Sequence, residues 1–483
     1  MKTKKIIPLL VTPLVLVPAL TSCGPTSDPN TLNIICYSAG YGSEWIDEIK
    51  NQFVLEHPEV TVNIKAIYEA QSLIDSHLGS TRNDDDLYIS VSSTWKSYAA
   101  QGYFANLDDF LLEEVDGVTI KDKVADEFAE SIYFTRSDGS KHTYRLPWTA
   151  GMGGIYYNRI MFENNNWDDW LKETYSTNTT GVPETFDQLL ALCQKINDDR
   201  VPASSDGLTA VKPFALTGTN TDYFDYAVFN WWSQIVGVDA IKEFLKYESA
   251  DNYDVTKNET YNALKTATSK WNEIFSNSAN FIPDSINKSA ADAQKEFING
   301  YAAMMFNGDW LYNEALKYSG NGSFDDTFAL SMMKMPVLDE ANPEYVNSSY
   351  TIGEDQYIAI PATSKRQGLA KEFIKAIISN RGCETFLNYA HGFLAYDADY
   401  SSEMTQDRFL KEMIELKNSY TNKYTSFSNN RKYLCNYIDI WCTSALRPFL
   451  GVLNGTLTSL DSAFNQIATA ASSQWGYWTR LSE

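Results

Sequence analysis

The 483-residue chain carries 62 Asp and Glu residues against 39 Lys and Arg residues, which gives a formal net charge of −23. A surface this acidic repels phosphate backbones and anionic headgroups, so nucleic acid is not expected as a partner. The length exceeds what one hydrophobic core supports, and two or more domains are expected.

The N-terminus has the pattern of an export signal. Three lysines in the first five residues precede a mostly apolar segment that is too short and too interrupted by proline for a comfortable membrane span. The segment ends in Leu20-Thr21-Ser22-Cys23, which resembles a bacterial lipobox. The resemblance implies that residues 1–22 form a lipoprotein signal peptide and that lipidated Cys23 anchors the chain to the extracytoplasmic face of the cell membrane. Residues 23–30 are then a flexible tether.

Three short strand-like segments follow, each with helical spacing behind it. They are residues 32–38, 60–68 and 86–92. Alternating strands and helices at this interval predict a parallel sheet with crossover helices. In such sheets ligands meet the loops beyond the carboxyl ends of the strands, which here are residues 38–42 and 92–95.

The cysteine and histidine residues do not predict a disulfide or metal site. The chain has four histidines, none of them spaced as metal ligands. The cysteines after Cys23 are odd in number and widely scattered, so we expect them to be small core residues without disulfides. We expect neither a metal nor a cofactor. These cysteines are Cys36, Cys193, Cys383, Cys435 and Cys442.

The middle of the chain contains a candidate hinge and a second α/β unit. Residues 144–163 have two strand-like pieces separated by Pro147, Trp148 and three glycines, a pattern that favours a hinge between lobes. Further on, the apolar run 302–306 ends at Asn307-Gly308, a dipeptide that normally turns a hairpin. Helical composition follows instead from Trp310, which leaves Asp309 and Trp310 at the junction.

The last third begins with a strand near Gly353, a turn at 361–364 and a helix with an apolar stripe at Ala370, Phe373, Ile374 and Ile377. From about residue 405 the pattern is helical. No nucleophile elbow, P-loop or zinc-protease motif occurs, so an enzyme is not expected. Two alternatives stay open here. One is a glycosidase using carboxylates such as Asp309 with Glu354, and the other is a surface adhesin.

Three segments together carry a specific resemblance: YYN after LPWTAGMGG, then AAMMFNGDW, then IGEDQYIAIPATSKRQGLAKEFIKAIIS. In this order and spacing they resemble the extracytoplasmic solute-binding proteins of carbohydrate ABC transporters, the broad family that includes maltose-binding protein. The resemblance implies a two-lobed α/β periplasmic-binding-protein-like fold, each lobe a sheet flanked by helices. Lobe one comprises 31–148 and 356–404, lobe two comprises 154–350 and 405–483, and the hinge lies near 147–154 and 351–356.

The same resemblance implies that a monomer binds a sugar or oligosaccharide in the cleft and that the permease subunits recognise lobe closure. An indole covers the C–H face of a sugar, and carboxylate or amide oxygens bind its hydroxyl rim. The runner-up ligand is a polyamine, because carboxylates between aromatic walls also suit an amine.

The candidate ligand residues that this resemblance implies have structural alternatives, such as core packing for Trp310 and Trp441 and helix capping for Asp309. The candidates are Ser38, Tyr41, Ser92, Ser93, Trp148, Asp222, Tyr223, Asn307, Asp309, Trp310, Glu354, Asp355 and Trp441.

Overall fold

The structure, a computed structural model, describes residues 28–136, 138–319, 323–324, 326–401, 405–426 and 459–481. The expected lipidation site at Cys23, together with Cys435, Trp441 and Cys442, lies outside the described residues. Among the helices that fall within these ranges, none is both long enough and apolar enough to cross a membrane.

Strands and helices alternate along most of the chain. The strands are β1 (Thr31–Tyr37), β2 (Thr61–Ile67), β3 (Leu87–Val91), β4 (Glu114–Val115), β5 (Val118–Thr119), β6 (Phe134–Thr135), β7 (Lys141–His142), β8 (Gly151–Met152), β9 (Gly154–Asn158), β10 (Lys212–Ala215), β11 (Ala302–Asn307), β12 (Leu330–Met333), β13 (Ser348–Ile352), β14 (Gln356–Ala359) and β15 (Asn422–Tyr424). The helices are α1 (Glu44–Glu56), α2 (Ala70–Leu78), α3 (Trp95–Ala100), α4 (Ile120–Lys123), α5 (Arg159–Asn164), α6 (Trp167–Thr174), α7 (Phe186–Asp199), α8 (Asp225–Phe244), α9 (Glu259–Phe275), α10 (Ala290–Ile298), α11 (Leu311–Tyr318), α12 (Gln367–Ile378), α13 (Asn380–Ala390), α14 (Arg408–Ser419) and α15 (Leu460–Leu481).

The first sheet has four strands in the order β14-β3-β1-β2. β1 pairs in parallel with β2 and with β3, as the strand and helix spacing predicts. β14, however, pairs antiparallel with β3, because the chain returns to this sheet through a short connection from β13 and not through a crossover helix. Helices α1, α12 and α13 pack together against this sheet. The predicted apolar stripe of α12 is confirmed, since all four of its residues are fully buried.

The second sheet has the order β10-β11-β9-β12. β11 runs parallel to β10 and antiparallel to β9, and all six of its residues are buried. The hairpin signal at Asn307-Gly308 does not produce a hairpin. Instead, the strand ends at Asn307 and α11 begins at Leu311, so Asp309 and Trp310 occupy a tight strand-to-helix connection.

A third, small sheet has the order β15-β13-β8, and its strands β8 and β13 lead directly into β9 of the second sheet and β14 of the first. β13 pairs antiparallel with β8, with Thr351 opposite Met152 and Ile352 opposite Gly151. The two segments that the resemblance assigns to the hinge are therefore neighbours. The expectation of helix throughout the region after residue 405 is wrong at β15, because Asn422–Tyr424 form a parallel edge strand beside β13.

The cysteines of the described residues lie in the hydrophobic cores. Three of the cysteines expected in the core, Cys36, Cys193 and Cys383, are indeed buried and unbridged. Burial raises the pKa of all three thiols above the ordinary value, which keeps them protonated and unreactive near neutral pH.

Gly353 occupies a backbone position that a side chain cannot share. Its φ is +143°, and a Cβ placed on it would lie 2.3 Å from the carbonyl oxygen of Thr149, in the other hinge segment. We expect Gly353→Ala to lower the free energy of unfolding by about 1–2 kcal/mol, because the two segments would have to separate. Thermal unfolding measures this change.

The matched control for this substitution is Gly368→Ala, at an exposed glycine in α12 whose added Cβ meets nothing within 4 Å. This control is expected to be neutral or slightly stabilising. Equal stability of the two variants would contradict the crowding at Gly353.

Candidate functional site

A cavity of about 660 Å³ opens between the first and second sheets, with the small sheet along one side. The loop after β1, the start of α8, the start of α11 and the β13–β14 connection all contribute to it. Seven of the residues singled out from the sequence line this cavity, although they come from five separate regions of the chain. They are Tyr41, Trp148, Asp222, Tyr223, Trp310, Glu354 and Asp355.

Trp310 forms the centre of an aromatic wall. Its indole is partly exposed, and its ring centroid lies 5.7 Å from that of Tyr226 and 6.3 Å from that of Tyr223, both in edge-to-face geometry. The indole also approaches the first-sheet side, where a Cβ added at Gly40 would lie 3.1 Å from Trp310 Cβ. Gly40 has a φ of +69°, so the loop after β1 can approach the indole this closely.

Asp309 lies behind this wall and does not line the cavity. The residue is fully buried, and Tyr41 Oη donates a 2.7 Å hydrogen bond to Asp309 Oδ1. The N-cap residue of α11 is Trp310 and not Asp309, and no side-chain cap hydrogen bond is made there. Burial raises the pKa of Asp309 to about 7, although the hydrogen bond from Tyr41 opposes the shift. Its position predicts support for the Tyr41 side chain more directly than contact with a solute.

The raised pKa of Asp309 makes stability depend on pH. An unfolded aspartate titrates near pH 3.9, so between about pH 4 and pH 7 the folded state binds the extra proton and stability falls as pH rises. We therefore expect Asp309→Asn to be more stable than the wild type at pH 7.5 and to lose that advantage near pH 4. Thermal unfolding over this pH range tests the expectation, and an advantage that is constant with pH would contradict it.

Trp148 lines the cavity and packs on residues of the loop after β1 and of α1. Its ring meets Tyr41 at 5.9 Å in edge-to-face geometry and Trp45 at 5.9 Å. The side chain is fully buried, and its Nε1–H has no hydrogen-bond acceptor among the described residues. Trp148 therefore contributes a buried indole to the lining of the cavity.

Five carboxylates line the cavity, and none of the described lining residues is Lys, Arg or His. Asp355 and Glu314 are desolvated, and burial raises the pKa of both side chains. The negative charges of Glu354 and Asp222 raise the pKa of Asp355 further, which indicates that these carboxylates lie close together. The five are Asp222, Asp225, Glu314, Glu354 and Asp355.

Four more predicted residues belong to the described part of the chain, and they do not line the cavity. Ser92 closes a local turn, since its Oγ accepts the backbone N–H of Thr94, and Ser93 is exposed. Asn307 is fully buried and its Oδ1 accepts the N–H of Gly308. Ser38 joins the first sheet through its backbone N–H to Ile67 O. A contact between any of these four residues and a ligand stays a prediction.

Several lining residues were not singled out from the sequence. Tyr37 ends β1 and Tyr68 directly follows β2, so the rule on carboxyl ends of parallel strands identifies both positions. Asp225 and Tyr226 belong to the turn that contains Asp222 and Tyr223. No sequence pattern identifies Tyr318, Glu314 and Gln294 as lining residues, because they reach the cavity only through the packing of α10 against α11.

The described residues contain no group of three or more His, Cys, Asp or Glu side chains placed to hold a metal ion. The residues that line the cavity present two kinds of chemistry, an aromatic wall and a set of carboxylates. Together they suit a ligand with an apolar face and a polar rim.

Most of the chain matches a known protein family. The family described as "bacterial extracellular solute-binding protein" matches residues 38–382. The multiple sugar-binding protein of Streptococcus mutans is 22% identical over 351 residues, which cover 71% of this chain and 69% of that protein.

Solved structures with the same overall fold are more distant in sequence. The apo form of RafE from Streptococcus pneumoniae has a TM-score of 0.60 at 16% identity, covering 91% of this chain and 96% of that chain. The GacH receptor of Streptomyces glaucescens, described unliganded and in complex with acarbose, has a TM-score of 0.61 at 17% identity, covering 91% and 97%. At these identities the likeness establishes the two-lobed fold.

Proposed function

Because this chain belongs to the bacterial extracellular solute-binding protein family, we propose that it captures a sugar or oligosaccharide in the cavity between its lobes. The observation that carries the proposal is the partly exposed indole of Trp310, which faces a cavity lined by carboxylates. A similar chain from Streptococcus mutans bears the name multiple sugar-binding protein, which agrees with this choice of solute.

Aromatic and carboxylate side chains of the cavity lining are proposed to recognise different parts of a sugar. A sugar ring presents C–H groups on its faces, and aromatic rings such as Trp310 and Tyr226 cover them with little loss of conformational freedom. Its hydroxyl groups donate to carboxyl oxygens such as those of Glu354 and Asp222, and bonds to a carboxylate are roughly twice as strong as neutral ones. The side-chain amide of Asn220, which also lines the cavity, supplies a donor for a hydroxyl oxygen. The set has both acceptors and a donor.

Capture is coupled to movement of the lobes in this proposal. β8 and β13 form adjacent strands of the small sheet, and rotation about residues 147–154 and 351–356 opens or closes the cavity. A solute that contacts both lobes favours the closed form by its differential affinity. The closed form then delivers the solute to the permease of an ABC importer, and the protein itself leaves the solute chemically unchanged.

The location follows from the N-terminal sequence. The apolar segment and Leu20-Thr21-Ser22-Cys23 support an exported lipoprotein that is held to the outer face of the membrane through Cys23. Lipid labelling of the expressed full chain, compared with Cys23→Ser, tests this part. Loss of the label in the variant supports the anchor, and label retained in the variant would refute it.

The solute is tested by a thermal-shift screen of the full chain in mild detergent against mono- and oligosaccharides, polyamines and sugar phosphates. A ligand at about a hundred times its dissociation constant adds roughly 2.7 kcal/mol to stability. The proposal expects stabilisation by at least one sugar, with the sugar recovered intact after incubation. Stabilisation by polyamines alone would refute the proposal that the solute is a sugar. Recovery of hydrolysed sugar would refute the proposal that the protein is a receptor that leaves its solute unchanged.

A further inference from the structure

One face of α11 lines the cavity along the whole helix. Trp310, Glu314 and Tyr318 are spaced four residues apart, and all three line the cavity. Residues with this spacing are neighbours on one side of a helix, and Trp310 already has helical φ and ψ. At a rise of about 1.5 Å per residue, the distance along the helix from Trp310 to Tyr318 is about 12 Å. A sugar ring built from bonds of about 1.5 Å is roughly 5 Å across, so this α11 face is longer than one ring.

Two exposed tyrosines lie at the far end of the α11 face. Tyr318 is 38% exposed at the end of α11, and Tyr68, which directly follows β2, is 69% exposed. Both line the cavity, and they come from different sides of it, since β2 belongs to the first sheet and α11 follows β11 of the second. Partial burial raises the pKa of the Tyr318 hydroxyl, and two carboxylates and Tyr68 nearby raise it further. Tyr68 and Tyr318 are therefore close together, and we call them the outer tyrosine pair.

Neighbouring side chains hold both rings of the outer tyrosine pair. The ring centroid of Tyr37, which ends β1, lies 6.0 Å from that of Tyr68, with an angle of 43° between the ring planes. Lys295 Nζ lies 5.2 Å from the ring centroid of Tyr318. A ring that is held before binding loses little further conformational freedom when a ligand contacts it. Single exposed aromatics are ordinary on protein surfaces, but two that converge on one cavity indicate a place for a ligand.

The middle of the α11 face is polar. Glu314 lies between Trp310 and Tyr318 in the helix, and its Oε2 accepts a 2.6 Å hydrogen bond from Gln294 Nε2. Gln294 belongs to α10 and also lines the cavity. A carboxylate has acceptor sites for several donors, so Glu314 can accept from a sugar hydroxyl as well. The order aromatic, polar, aromatic suits two sugar rings in a row, with hydroxyl groups between the two stacked faces.

We propose that the solute is an oligosaccharide of at least two rings, with one ring on Trp310 and the next between Tyr68 and Tyr318. This inference rests on the proposed function and narrows its substrate class. A monosaccharide on Trp310 leaves the outer tyrosine pair uncovered, so it binds more weakly than a longer sugar of the same series. Because the two tyrosines come from different sides of the cavity, the outer ring also links those sides.

The test uses isothermal titration calorimetry with the full chain in mild detergent, against sugars of increasing length. The series are glucose with maltose and maltotriose, glucose with cellobiose and cellotriose, xylose with xylobiose and xylotriose, and N-acetylglucosamine with chitobiose and chitotriose. In at least one series we expect the disaccharide or trisaccharide to bind at least about tenfold more tightly than the monosaccharide, because it gains the contact with the outer tyrosine pair.

The decisive variants are Tyr68→Ala and Tyr318→Ala. Each is expected to weaken binding of the longer sugar by about three- to tenfold, the contribution of one aromatic contact, while monosaccharide affinity stays within about twofold of the wild type. Tyr68→Phe keeps the ring and is expected to retain most of the affinity for the longer sugar. The control is Tyr389→Ala, at an exposed tyrosine of α13 that does not line the cavity, and it is expected to bind every sugar as the wild type does.

The outcomes separate this inference from the proposed function. Equal affinity along every series that binds overturns the inference, while sugar binding itself still supports the receptor. A preference for the longer sugar that survives both alanine substitutions overturns the inference as well, and so does an equal loss of monosaccharide affinity. Binding of no sugar in these series overturns the inference, and a wider screen in which no sugar stabilises the chain overturns the proposed function too.

Discussion

Replacing Trp310 with alanine is expected to weaken sugar binding by about 2–3 kcal/mol, roughly a 30- to 150-fold increase in Kd. Trp310 is the centre of the aromatic wall, and edge contacts from Tyr41, Tyr223 and Tyr226 hold its ring in place. Because the ring is already immobilised, binding costs little further side-chain entropy, and the full stacking contact is available to the solute. Isothermal titration calorimetry with the sugar found in the screen measures the loss.

Two further variants distinguish ligand contact from general damage. Trp310→Phe keeps an aromatic face and is expected to retain part of the affinity. Trp170→Ala removes a partly exposed tryptophan of α6 that does not line the cavity, and it is expected to bind as the wild type does. Wild-type affinity in Trp310→Ala would establish the core-packing role for this side chain.

The largest effect on stability is expected from Arg366→Ala, which should lower the free energy of unfolding by about 3–5 kcal/mol. Arg366 Nε donates to Asp86 Oδ2 at 2.8 Å, and Asp86 is fully buried. Asp86 also accepts from the backbone N–H of Asn33 and from Ser364 Oγ, so it ties β1, the start of β3 and the turn before α12 together. Removing the guanidinium leaves a buried carboxylate without its counter-charge.

The chain offers a matched surface pair for comparison. Arg381 Nη1 lies 3.1 Å from Glu56 Oε1, with more than half of each side chain exposed. Arg381→Ala is expected to cost less than about 1 kcal/mol, since water screens this pair. Denaturant unfolding followed by tryptophan fluorescence measures both variants. Similar small losses at the two sites would show that burial adds nothing to the Arg366 interaction.

The sequence predicts the elements of the first sheet and the junction at Trp310, because hydrophobic period and turn residues are local signals. β1, β2 and β3 lie within two residues of the predicted segments, and α11 begins directly after Trp310. The antiparallel β14 and the edge strand β15 are different. Each is defined by a partner strand far away in the sequence, and no local pattern contains that information.

Local sequence signals also could not decide which of the candidate residues face the cavity. Asp309 and Trp310 are adjacent in the sequence, yet one is fully buried behind Tyr41 and the other faces the cavity. The residue types suggest ligand contact for both, through stacking for Trp310 and through hydrogen bonds for Asp309, and only the direction of the strand-to-helix connection separates them. Ser92 likewise directly follows β3, at the edge where ligands meet such sheets, but its hydroxyl is engaged in the turn to Thr94.

The order in which strands join the sheets also constrains how this chain folds. The first sheet is incomplete until β14 arrives, and β14 follows all four strands of the second sheet in the sequence. The small sheet is completed later still, because its third strand, β15, begins only at residue 422. Neither the first sheet nor the small sheet can be completed by the N-terminal part of the chain alone, and closing such long loops is slow. An exported chain benefits from this delay, since it stays unfolded until most of its length is across the membrane.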